Sequence, residues 1–299
     1  MNKIFFNAQH QLRNGWWVLI FIAILALSRQ LYKPLKGWLT DLGASTMQLE
    51  PLALILLLLV SWSCLLLRRQ RLADLGLAFD PRWWQQLLFG TAAGMAMMGV
   101  IALLMWSFSA ATFGINPKFQ AADLALGAYL LLLAAALEEL LYRGFIFQRL
   151  LDGLGVWPTQ LLFAAIFAAG HWDNPGLEGS AKVVAMLDLA LASLLFGLAY
   201  LKTRSLALPL GLHFGWNWAQ GYLLGFQVSG YEHNGWLLPQ LQAKADWLTG
   251  GSFGAEASVF ALLVDCLALW LLWRWRGVVP QATAVASKPD APKTAAAPG

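Results

Sequence analysis

Apolar runs close to the length of a bilayer crossing, separated by short polar clusters, dominate the chain. A membrane helix needs about 20 such residues. On that length eight spans are predicted: 15–32, 51–67, 85–108, 123–147, 158–171, 183–201, 205–224 and 257–273. The fifth is short and fits a helix buried between others. Pro51 and Pro158 stand where first helical turns accept proline. The 227–256 segment is long and polar for this chain, and 74–84, with its arginine and tryptophan pair, suits a surface-lying connection.

Loop charge supplies an orientation. With the N-terminus cytoplasmic, Lys3, Arg13, Arg68, Arg69, Arg71, Lys202 and Arg204 fall on the cytoplasmic side. Lys33, Lys36, Lys118, Lys182 and Lys244 fall on the far side. Counting helix-end and tail residues as well, the bias favours both termini inside. The expected location is a bacterial inner (plasma) membrane.

Composition closes off alternatives. The chain is 59% hydrophobic and 12% charged, against roughly 25% charged in soluble proteins. Sixteen Trp include Trp16, Trp17, Trp38, Trp83, Trp84, Trp157 and Trp247 at the ends of apolar runs, where indoles settle at headgroup level. The net charge of +4 has no basic surface with interleaved aromatics, so nucleic acid is excluded as a partner. Cys64 and Cys266 lie in apolar runs without a CxxC, which leaves no redox motif or thiolate zinc site. The first run lacks a cleavage site and is read as a retained helix. The tail from Val278, rich in Ala, Pro, Lys and Thr, is expected to be disordered.

Ionisable groups inside spans cost roughly 2.5–3.5 kcal/mol each and are functional candidates. Three groups stand out, all between 123 and 224. The first holds Glu138, Glu139 and Arg143. Glu139 and Arg143 share a helical face at i,i+4 and can pair. Glu138 is rotated about 100° away, free to act as general base or acid. The second is His171, four residues after Phe167. The third is His213 with Asn217, an i,i+4 pair of donors that can aim at one oxyanion. No nucleophile elbow accompanies them, so water activated by carboxylate and imidazole is the chemistry left. Two histidines and a glutamate could also hold zinc, although no His-Glu-x-x-His helix exists. A proton-relay transporter is a weaker alternative, because no internal repeat is found.

Glu-Glu-x-x-x-Arg at 138–143, Phe-x-x-x-His at 167–171 and His-x-x-x-Asn at 213–217 resemble, in order and placement, the three motifs of the CPBP family. These are the CAAX-protease and bacteriocin-processing membrane proteins, also called the Abi family. The resemblance implies a glutamic-type intramembrane endopeptidase without cofactor or metal. In it Glu138 and His171 activate water, His213 and Asn217 form the oxyanion site, and Glu139 and Arg143 support them. Eukaryotic relatives trim prenylated CAAX proteins, so the implied partners are membrane lipid and a peptide or protein substrate, which prenylation could anchor. A non-catalytic scaffold or immunity-type protein is the alternative.

The expected fold class is therefore all-α: a polytopic integral membrane protein with about eight transmembrane helices around a polar cavity. N-terminal helices occupy 1–122, the protease core 123–224, a loop and last helix 225–277, and the tail 278–299. Counted from basic helix ends, His213 lies roughly 12 Å deep, Glu138 roughly 16 Å and His171 roughly 20 Å. These depths suggest a cavity opening to the cytoplasm or sideways to lipid.

Overall fold

A computed structural model of the protein describes residues 4–7 and 10–277. The tail read as disordered lies outside the described residues. The helices in chain order are α1 (Asn14–Asp41), α2 (Thr46–Leu49), α3 (Leu52–Leu67), α4 (Pro81–Ser107), α5 (Ala121–Arg143), α6 (Phe145–Leu154), α7 (Val156–Gly170), α8 (Gly179–Thr203), α9 (Ala207–Trp218), α10 (Asp246–Thr249) and α11 (Val259–Arg274). Local sequence sets several starts. Asp80 caps α4 by accepting from Trp83 N at 2.8 Å, with Pro81 in the first turn. Ser45 and Gln48 form a capping box at α2.

The packing is inverted relative to a soluble protein. Leu88, Phe89, Leu103, Leu187 and Leu263 face outward, while Glu139, Arg143, His213 and Asp265 are buried. Lipid is the solvent in which this arrangement is stable, and the protein is an integral membrane protein.

Five helical segments are long and apolar enough to cross a bilayer: Asn14–Asp41, Thr46–Leu67, Pro81–Ser107, Ala121–Leu154 and Gly179–Thr203. The other three predicted spans are helical but shorter. α7 has 15 residues, α9 has 12 and α11 has 16. Of the eight spans expected, five thus have full length and three are short. α9 can be short because neighbours bury it along most of its length; a π-helical turn, Ala219–Leu223, extends it.

Two further expectations change. The 123–147 span breaks at Gly144, where a Cβ would lie 2.0 Å from Leu140 O. α5 therefore ends at Arg143 and α6 turns away. The all-α reading also misses a small antiparallel sheet, in which β1 (Ala111–Ile115) pairs with β2 (Leu237–Leu241), Ala111 opposite Leu241. β2 belongs to the polar segment after α9, which forms a cap over one end of the bundle. Asn116 Nδ2 donates to Gly235 O at 2.8 Å, Asn234 Nδ2 to Asp123 Oδ2 at 2.7 Å, and Asn174 Nδ2 to Ser229 O at 3.1 Å. Those contacts tie the cap to the starts of α5 and α8. At the opposite end Leu206 N donates to Gly76 O at 3.0 Å, and Lys202 Nζ to Trp273 O at 3.0 Å. α1 starts there too, beside Gly153. The start of α1 and the end of α11 thus share one end of the bundle.

The tightest seam joins α4 and α9. Gly90 and Gly94 on α4 meet Gly211 and Gly215 on α9. A Cβ at Gly94 would sit 2.2 Å from Leu212 O, and one at Gly215 would sit 2.1 Å from Thr91 O. The two backbones touch, as small residues allow in lipid. This seam fixes the rotation of α9 and so the direction in which His213 points. Gly94→Ala and Gly215→Ala are each expected to cost about 1–3 kcal/mol, read as a lower melting temperature in detergent. Gly99→Ala should melt like the wild type, since a Cβ there meets nothing within 4 Å. Wild-type melting of Gly94→Ala would show that the seam is not close-packed.

Candidate active site

α5 delivers two adjacent glutamates into different surroundings. Glu139 is 1% exposed and Arg143 0%. Arg143 Nη1 donates to Glu139 Oε1 at 3.2 Å, while Nη2 donates to Ser193 O and Oγ on α8, both at 2.9 Å. The guanidinium also lies 5.3 Å from the Phe167 ring and 5.2 Å from the Phe196 ring. The i,i+4 pairing read from the sequence is present.

Glu139 does more than neutralise Arg143. The same Oε1 lies 2.9 Å from His213 Nδ1 on α9. A carboxylate accepts, so Nδ1 carries the proton and Nε2 faces the cavity. Phe196 stacks on this imidazole, with centroids 5.0 Å apart and planes 12° apart. Glu138 Oε2 lies 3.9 Å from His213 Nε2, too far for a hydrogen bond. Glu138 is 32% exposed at the side chain, and its Oε2 has no protein hydrogen-bond partner.

His171 is the residue that ends α7. Its Nδ1 lies 2.8 Å from Phe167 O. A carbonyl only accepts, so Nδ1 is the N–H and Nε2 is left with its lone pair. The Phe167 ring contacts both imidazoles, at 4.8 Å from His171 and 6.4 Å from His213. Asn217 follows His213 by one turn. Glu138, His171, His213 and Asn217 all line one cavity of about 50 Å³, room for roughly three waters. Glu139 and Arg143 stand behind it.

The cavity wall extends beyond the 123–224 stretch. Asp188 on α8, Asp265 on α11, and Ser229 and Glu256 from the cap line it as well. Sequence reasoning did not single these out. Asp188 and Asp265 were open to the criterion applied to Glu138, an ionisable residue within an apolar run. Glu256 carried no such signal, because it sits in a polar segment that only the fold carries to the cavity. The zinc alternative lacks a donor set: among the described residues, no three His, Cys, Asp or Glu side chains come close enough to hold one ion.

Glu256 stands in a 3₁₀ turn ahead of α11 and accepts from Ser229 N. Burial pushes its carboxyl up from the usual 4.5 to about 7, against the opposing pull of that hydrogen bond. The folded state therefore holds this proton more tightly than the unfolded chain does. Its contribution to stability is complete below about 4.5 and is lost as pH rises through about 7. Glu256→Gln removes the titration, so its melting temperature relative to wild type should climb between pH 5 and pH 8.5. An offset constant across that range would contradict the assignment.

Residues 120–219 match the family described as type II CAAX prenyl endopeptidase Rce1-like. The matched segment holds Glu138, Glu139, Arg143, His171, His213 and Asn217. No curated protein and no solved structure matches the chain.

Proposed function

We propose that this protein hydrolyses a peptide bond within the membrane using water activated by Glu138 and His171, a reading supported by the match of residues 120–219 to the type II CAAX prenyl endopeptidase Rce1-like family. The observation that carries the reading is the convergence of Glu138, His171, His213 and Asn217 on one cavity, with the His171 lone pair left open by the Nδ1 bond to Phe167.

Water held between Glu138 and His171 Nε2 attacks the scissile carbonyl carbon. Glu138 takes the proton that the water loses. The carbonyl oxygen becomes an oxyanion, which Asn217 Nδ2–H stabilises. His213 Nε2 joins it as a donor when the ring is an imidazolium, since Nδ1–H already serves Glu139. Such donors gain strength where water is excluded. The C–N bond then breaks as Glu138 passes its proton to the departing nitrogen, giving a carboxylate and an amine. Glu139 and Arg143 position His213 and do not touch the reacting atoms.

The substrate class follows from the surroundings. An apolar groove of about 650 Å³ lies against the lipid between α4, α8, α9 and α11 and shares Met97, Leu195 and Leu212 with the cavity. It suits a membrane-associated or lipidated peptide arriving sideways. The common end of α1 and α11, together with the loop charge, favours both termini on the cytoplasmic side of an inner membrane. In that orientation the cap lies on the far side and closes the cavity there.

The test is cleavage of a membrane-anchored peptide, with and without a prenyl chain, by purified protein in liposomes. Glu138→Gln keeps the shape but cannot take the proton, and turnover should fall at least about 10²-fold with melting essentially unchanged. Near-normal turnover by Glu138→Gln would remove Glu138 from the reaction.

A further inference from the structure

One wall of the cavity is not used by the proposed chemistry. Asp265 is 0% exposed, and neither carboxylate oxygen has a hydrogen-bond partner in the protein. Asp188 is 2% exposed and its Oδ1 also has none. Both line the cavity, and Glu256 joins them from the cap. Acids that merely glue helices together would find donors on a neighbouring helix, as Glu139 finds Arg143 and His213. These two do not.

The charge balance of the cavity points the same way. Its lining holds four carboxylates, Glu138, Asp188, Glu256 and Asp265, and two imidazoles, with no Lys or Arg. Arg143 stands nearby but is already held by Glu139 and Ser193. In a low-dielectric interior these carboxyl groups keep their negative charge only with counter-charge or donors, and otherwise hold a proton. A bare metal ion does not meet the need, because no three donors close on one point. An ammonium carries three N–H donors and a guanidinium five, spread over a wider reach. A cavity of about 50 Å³ takes only the charged tip, in place of its waters; the aliphatic stem can lie along Leu195 and Leu212, which line the apolar groove as well.

We propose that Asp188, Asp265 and Glu256 form a specificity subsite that receives a lysine or arginine side chain of the peptide substrate, within side-chain reach of the scissile bond. The proposal rests on the hydrolase reading for its substrate. The same wall repels an acidic residue at that position.

The experiment uses a membrane-anchored fluorogenic peptide series with Lys, Arg, norleucine or Glu at each position flanking the scissile bond. A parallel dye-labelled series with the scissile amide reduced reports binding by anisotropy, independently of cleavage. At one position, Lys or Arg should exceed norleucine by about tenfold or more in both kcat/KM and affinity, as charge-assisted hydrogen bonds allow, and Glu should fall below it. Asp265→Asn and Asp188→Asn should each shrink the basic-to-norleucine ratio. Two variants are used so that one failure to fold does not decide the outcome. If the series is cleaved with a ratio near one, or if both Asn variants keep the wild-type ratio, the subsite is wrong and the hydrolase stands. If nothing is cleaved but the basic analogue binds in an Asp265-dependent way, the hydrolase reading fails and the subsite stands. If Na⁺ or K⁺ displaces the basic analogue from wild type and loses its own effect in Asp265→Asn, an alkali ion is the guest and the proposal is overturned.

Discussion

A single carboxylate oxygen, Glu139 Oε1, holds the site together. It accepts from Arg143 on its own helix at 3.2 Å and from His213 on α9 at 2.9 Å. Arg143 in turn reaches the backbone and hydroxyl of Ser193 on α8. Three helices are thereby locked around a charge that neither lipid nor protein could bury alone. Breaking such a buried pair costs about 3–5 kcal/mol, because the remaining partner stays desolvated. The lock also has a chemical consequence. It fixes which nitrogen of His213 bears the proton and turns the other toward the cavity, where Glu138 Oε2 lies 3.9 Å away with no hydrogen-bond partner in the protein.

The rest of the fold serves this arrangement. The glycine seam brings α9 against α4 at backbone contact, which sets the rotation of α9. The break at Gly144 ends α5 at Arg143, and α6 leaves in a new direction. The cap closes one end, bringing Ser229 and Glu256 to a cavity that helices alone would leave unlined there. Aromatic rings fill the space between the polar groups. Phe167 touches both imidazoles and the guanidinium, and Phe196 stacks on His213. These rings exclude water from all but the cavity, which strengthens the electrostatics inside it.

The residues of the three motifs were legible because helical periodicity is local. Glu139 and Arg143 at i,i+4 predicted their own pairing, and Glu138 was assigned a different face correctly in direction. The contact between Glu139 and His213 was not legible, since residues 74 apart in sequence meet only through the α4–α9 and α5–α9 packing. Asp188 and Asp265 were visible as acids in apolar runs but lack a nearby partner residue, the local cue that drew attention to the other groups. The strands of the cap were hidden for a different reason. Strands of five residues have too short a pattern to stand out, and β1 and β2 pair across more than a hundred residues. Apolar content located α7, α9 and α11 but not their lengths: α9 is enclosed by its neighbours, while α7 and α11 expose Trp157, Leu161, Leu263 and Leu267 and are simply short.

The central claim is that Glu139 fixes His213 with Nδ1 protonated. The direct measurement is the ¹⁵N spectrum of imidazole-labelled protein in lipid bilayers. The chain has four histidines, so each signal can be assigned by single His→Asn substitutions. The account expects His213 Nδ1 to carry a proton hydrogen-bonded to a carboxylate, with that signal shifting in Glu139→Gln. A His213 ring with unprotonated Nδ1, or one indifferent to Glu139→Gln, would contradict it.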